Sequence, residues 1–182
     1  MNQEALLAWY ERNKRPLPWR LDPSPWSILL SEILLQQTQM ERGIEYHERL
    51  LKRFPTLSSM AESSVDDVLL LWQGAGYYSR ARRLHALSIK VVQVHGGVLP
   101  KTYDELLKLP GIGPYTAAAV ASIAHSEPVA CVDGNIRRVM ARQSNLEEPS
   151  MNDVQRFADK HLVIDAPGEW NQAMMELGAL VC

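Results

Sequence analysis

The chain has 182 residues, 46% of them hydrophobic and 22% charged, which suits one globular domain or two lobes on one chain. That composition excludes disorder and collagen-like repeats, and two cysteines, Cys131 and Cys182, exclude a disulfide framework. A net charge of −2 does not exclude a nucleic-acid partner, because it averages over a surface whereas binding uses one face.

No apolar stretch reaches the ~20 residues of a bilayer span. The N-terminus, MNQEALLAWYERN, carries acids where a secretory signal has a basic start and a long apolar run. The expectation is an intracellular, reducing setting (cytoplasm or nucleoid if bacterial) and a monomer.

Strand signals are nearly absent, and helical patterns recur with short breaks. The patterns predict helices near 2–13, 26–39, 41–53, 65–73, 78–95, 102–108, 115–125, 134–143, 151–162 and 168–180, an all-α fold. In the second, Pro25 suits the entry, and Trp26, Leu29, Leu30, Ile33 and Leu34 fall at helical spacing. Glu32 lies inside that apolar helix. Burial there would raise its pKa and make it a usable proton donor near neutral pH. On this segment alone, an ordinary exposed Glu competes with that reading. Gln36, Gln37 and Gln39 follow, long amides able to reach base edges or fill gaps in a stack.

Before the helix at 65–73, Ser64 and Asp67 have the spacing of a capping box. Next comes LWQGAGYYSRARR: a loop with two glycines, then Tyr77 and Tyr78, then Arg80, Arg82 and Arg83. Aromatics beside cations suit base stacking and phosphate neutralisation, although a capping Gly, half-buried tyrosines and a solvated arginine face fit as well. In LPGIGPYT, Gly111 and Gly113 make a tight turn between two helices. The second helix exposes its first N–H groups, which favour a phosphate, although a plain glycine-rich helix corner fits as well. In CVDGNIRR, Asp133 and Asn135 flank a glycine at a helix start, with arginines one turn on. Alone, that is a helix N-cap.

Taken in order, these stretches resemble the helix-hairpin-helix superfamily of base-excision DNA glycosylases, and within it the adenine-removing, MutY-type branch. The matching segments are LPWR, PW-ILLSEILLQQTQ, LWQGAGYYSRARRL, LPGIGPYTAAAVASIA, VDGNIRRVMAR and WNQAMMELGALVC. The resemblance implies two helical lobes with a DNA cleft between them. Residues 17–127 would form a six-helix barrel lobe with the hairpin near 102–125, and residues 1–16 with 128–182 the second lobe. It implies hydrolysis of the N-glycosidic bond of adenine mispaired with 8-oxoguanine or guanine in double-stranded DNA, after flipping of the nucleotide.

Carried over by position, Glu32 is the acid that protonates the adenine ring, and Asp133 stabilises the oxocarbenium-like sugar. Asn135 holds the carboxylates and a water, and Tyr115 supports the sugar and the acid. Arg15, Leu17, Trp19, Arg20 and Gln172 line the adenine pocket. Gln36, Gln37 and Tyr77 contact DNA, the last two beside the opposite base, and Gly111 and Gly113 grip phosphate. Bifunctional relatives place a lysine where Tyr115 stands, so the resemblance implies a monofunctional enzyme. Lys101 and Lys108 are expected to face away from the cleft. A thymine or oxidised-pyrimidine glycosylase of the endonuclease III type, or a DNA-binding fragment without activity, is the alternative. Relatives also hold a [4Fe–4S] cluster on four cysteines, of which Cys182 matches the first. The other three ligands and the C-terminal 8-oxoguanine recognition domain have no counterpart in this sequence, so the chain is expected to bind no cluster.

Overall fold

A computed structural model describes residues 1–182, and the chain is helical throughout with no strand. In chain order the helices are α1 (Gln3–Asn13), α2 (Pro18–Leu21), α3 (Pro25–Leu34), α4 (Met40–Arg53), α5 (Leu57–Ala61), α6 (Val65–Trp72), α7 (Ser79–His95), α8 (Tyr103–Leu106), α9 (Pro114–His125), α10 (Gly134–Ser144), α11 (Met151–His161) and α12 (Pro167–Leu180). The all-α expectation holds. The sequence patterns missed α2 and α5, which are too short to show a period, with four and five residues.

Local chemistry sets the boundaries. Pro25 opens α3 behind a Ser24 cap, and Ser64 with Asp67 closes the expected capping box on α6. α7 stops at Gly96, which takes φ +61°. The helix expected to run to residue 39 instead ends at Leu34. Gln37 turns left-handed at φ +62°, and the buried Arg80 guanidinium takes up the carbonyls of Ile33, Leu34 and Gln36. These carbonyls lack the partners a continuing helix would supply, and a cation at a helix C-terminus is favourable. Arg80 is therefore not part of a solvated, phosphate-facing arginine cluster, as its spacing with Arg82 and Arg83 suggested.

Two cores form. The larger gathers residues from Trp26 to Ala121, including Leu29, Leu30, Leu34, Leu50, Phe54, Trp72, Leu84 and Leu106. The smaller joins Leu6 and Tyr10 of α1 to Ile136, Val139, Val154, Trp170, Ala173 and Met174. α9 serves both, giving Ala117, Val120 and Ala121 to one and Ala118 and Ala119 to the other. Its small side chains let α3 and α12 pack closely on it from different directions.

Candidate active site

Where α3 and α9 face α10 and α12, side chains from both halves enclose a cavity of about 380 Å³. That volume lies in the range of small-molecule pockets. Glu32 reaches it from the middle of α3 while remaining only 9% exposed. Burial drives its carboxyl up to about 7 from the usual 4.5. The nearby Tyr115 hydroxyl opposes this, Asp133 adds to it, and Arg20 pulls against it. Glu32 is thus a proton-bearing acid near neutrality, not an exposed surface carboxylate.

Asp133 is the N-cap of α10. Its Oδ1 accepts from the Ile136 backbone N–H at 2.8 Å, and its Oδ2 accepts from Asn135 Nδ2 at 2.6 Å. Capping and a role in the cavity are therefore not alternatives, because the capping bond aims the carboxylate. Asn135 is held in turn by Arg138, which donates to its Oδ1 and to the Gly178 carbonyl. α12 can approach this closely because Gly178 has no side chain: a Cβ there would stand 2.5 Å from Asn135 Cβ. The segment leading to Asp133 is fixed by buried Asn171. Its amide oxygen accepts from Cys131 N at 3.2 Å, and its Nδ2 donates to the Val129 carbonyl at 3.0 Å and to Ser122 Oγ at 2.8 Å.

The opposite wall is cationic but compensated. Arg15 and Arg20 both bond Glu176, a side chain 1% exposed, at 2.7 Å and 3.0 Å. Burial pushes the Glu176 carboxyl up, but the hydrogen bonds from Arg15 and Arg20 outweigh it and hold it at about 2. Arg20 also donates to Gln172 Oε1 at 3.2 Å. Trp19 packs its ring edge against buried His47, 5.1 Å between centroids, and turns toward the cavity.

Ten of the positions singled out in the sequence meet around this cavity: Arg15, Leu17, Trp19, Arg20, Glu32, Gln36, Tyr115, Asp133, Asn135 and Gln172. Gln37 and Tyr77 do not line it; both are exposed on turns. Gly111 and Gly113 also lie outside, at the α8–α9 hairpin, and they differ. Gly111 takes φ +80° against the Arg83 side chain, whereas Gly113 is the extended N-cap of α9. Lys101 and Lys108 are exposed, and no lysine lines the cavity. Sequence reasoning missed Glu176, Asn171 and Gly178. Only the one-helical-turn spacing of Gln172 and Glu176 could have pointed to the first.

Both cysteines are free thiols, Cys182 half-buried at the end of α12. Cys131 is buried, its thiol held far above the ordinary range by burial and by the charges of Glu32 and Asp133. No group of three His, Cys, Asp or Glu side chains is arranged to hold a metal ion.

A cavity that buries a carboxylic acid opposite an anchored carboxylate, beside a helical hairpin, defines a class of protein. Residues 30–162 match the HhH-GPD superfamily of base excision DNA repair proteins, and the chain belongs to it. Its sequence is 43% identical to the adenine DNA glycosylase of Rattus norvegicus, over 97% of this chain and 37% of that protein. It is 42% identical to the adenine DNA glycosylase of Mycobacterium tuberculosis, over 97% of this chain and 60% of that protein. The chain thus spans between 37% and 60% of the length of these two relatives. A thermostable thymine-DNA glycosylase shares the fold at a TM-score of 0.90 with 25% identity, over 99% of this chain and 85% of that one. Endonuclease III in a non-covalent DNA complex shares it at 0.84 with 22% identity, over 99% of this chain and 84% of that one. No helix is long and apolar enough to cross a membrane.

Proposed function

We propose that the chain is a monofunctional adenine DNA glycosylase acting, as an intracellular monomer, on adenine mispaired with 8-oxoguanine or guanine in duplex DNA. The observation that carries this reading is the buried Glu32 carboxyl, pushed up to about 7, in one cavity with Asp133 and with no lysine. It is supported by the likeness to adenine DNA glycosylases over nearly the whole chain.

The chemistry follows from the side chains. A flipped adenine fills the cavity. Glu32 gives its proton to a ring nitrogen, so that the base can leave with the electrons of the C1′–N9 bond. Positive charge develops on the sugar, and the Asp133 carboxylate stabilises it, held in aim by Ile136 N and Asn135. Water adds at C1′, its lost proton restores Glu32, and the strand is left with an intact backbone at an abasic site. Tyr115 offers a phenol where an amine would be needed for a Schiff base. Outside the cavity, the open N-terminus of α9 behind Gly113 presents unpaired N–H groups for a backbone phosphate. No step uses an iron–sulfur cluster, and we propose that these residues hold none.

Duplexes with A opposite 8-oxoguanine, A opposite G, and T opposite G test the reading. Adenine release from the first two, with strand cleavage only after alkali and little borohydride trapping, is the expected result. Efficient trapping would end the monofunctional assignment. Release of thymine alone would transfer the substrate to the class of the thymine-DNA glycosylase that shares the fold.

The acid also predicts a pH limb. Only protonated Glu32 can donate, so single-turnover excision should decline about tenfold per pH unit well above pH 7. A rate that stays flat to pH 9 would show that another group supplies the proton.

A further inference from the structure

Arg80 is the only arginine or lysine in the buried set. Its Nη1 donates to the carbonyls of Ile33 at 3.0 Å, Leu34 at 2.9 Å and Gln36. Its Nη2 donates to Thr38 Oγ1 at 3.2 Å and to the carbonyls of Ala75 at 3.1 Å and Gly76 at 3.3 Å. One guanidinium therefore bridges two turns that are far apart in sequence, the one after α3 and the one after α6. It also lies over the Tyr77 ring, 5.7 Å from its centroid.

The backbone marks the same two turns. Four residues other than glycine have positive φ: Gln37, Tyr77, Ser126 and Asn145. Ser126 and Asn145 are helix C-caps, where that conformation is ordinary. Gln37 at φ +62° and Tyr77 at φ +46° are not, and each adjoins a carbonyl that Arg80 holds. Such strain persists only where the surroundings over-determine it. Both side chains are turned out to solvent, Tyr77 at 62% exposure, instead of being packed. Gln36 and Thr38, on either side of Gln37, line the cavity, so the turn after α3 borders it.

We propose that Arg80 is a positioning residue that clamps these two turns into one rigid, two-pronged probe, with Tyr77 and Gln37 as the prongs, for a duplex with a nucleotide extruded. An exposed aromatic ring suits stacking where a base has left, and a primary amide suits the donor and acceptor edge of the orphaned base on the other strand. The proposal rests on the glycosylase reading above, which supplies the extruded nucleotide and already gives Gln37 and Tyr77 their DNA contacts; the role of Arg80 is what is added.

The test measures binding by anisotropy. It compares a duplex carrying a cleavage-resistant 2′-fluorinated adenine nucleotide opposite 8-oxoguanine with a fully paired duplex. Arg80→Lys keeps the charge but cannot make the six bonds, and should cut the preference for the mispair about tenfold. Gln37→Ala with Tyr77→Ala should cut it comparably. Adding Arg80→Lys to that pair should change nothing more, an outcome a general loss of folding would not give. Hydrogen exchange at residues 36–38 and 75–78 should rise together in Arg80→Lys. If that variant does not fold, Thr38→Val removes one bond and should lower the preference about threefold. Unchanged preference, full additivity in the triple variant, loosening of one turn alone, or no preference in the unmodified chain would each overturn the proposal. Excision from the unfluorinated duplex reads the glycosylase assignment separately. A chain that prefers the mispair but releases no base would lose that assignment and keep the role of Arg80.

Discussion

Glu32→Gln is expected to reduce single-turnover adenine release by about 10²–10⁴, the usual cost of losing a general acid. DNA affinity should hardly change, because the amide fills the same space. Stability should not fall either. The native carboxyl titrates near 7 and an unfolded one near 4.5, so ionisation works against the folded state increasingly as pH rises through that window. Glutamine carries no such penalty. Above pH 7 the variant should melt at or above the temperature of the parent chain, while at pH 4 the two should agree. Thermal melts at both pH values, beside excision measured with enzyme in excess, separate these effects. Near-parental excision would remove Glu32 from the reaction, and a lower melting temperature at pH 8 would mean that its carboxylate is stabilised by partners other than those described.

Much of the site could be read from the sequence because its residues sit inside segments that resemble the glycosylase family, although local pattern alone left Glu32 and Asp133 open. Glu32 is a lone carboxyl in an apolar helix, Asp133 precedes a glycine at a helix start, and Gly111 and Gly113 interrupt two helical runs. Each is bound to its neighbours by short-range rules of capping and periodicity. The parts that were not legible are those in which distant segments meet. Arg80 reads as one of three surface arginines, yet its position under two turns buries it. The helix expected through Gln39 ends at Leu34 because Arg80, 46 residues away from Leu34, collects its carbonyls. Gly178 reads as a mild helix weakness, and only the contact with Asn135 explains it. Asn171 and Glu176 look like the polar stripe of an amphipathic α12, but both are buried, one against the 129–131 segment and one between two arginines.

Glu176 yields the largest stability change expected. Its carboxylate is 1% exposed and receives three bonds from Arg15, at 3.1, 2.7 and 2.8 Å, and one from Arg20 at 3.0 Å. Glu176→Gln removes the charge and leaves two guanidinium groups facing each other across the cavity wall. Breaking a buried pair from one side costs about 3–5 kcal/mol. The lower end applies here, because the Arg15 side chain is 33% exposed and water can reach it. In a chain of this size about 3 kcal/mol lowers the melting temperature by roughly 10 °C at neutral pH. The pH dependence identifies the cause. The native carboxyl titrates near 2 and the unfolded one near 4.5. Its contribution is complete above the unfolded value and is lost as pH falls through the native one. The gap between the melting temperatures of the two proteins should therefore be full at pH 7 and close progressively between about pH 4.5 and pH 2. A gap that persists at pH 2 would mean that the loss comes from packing and not from charge. No gap at neutral pH would mean that solvent already satisfies both arginines.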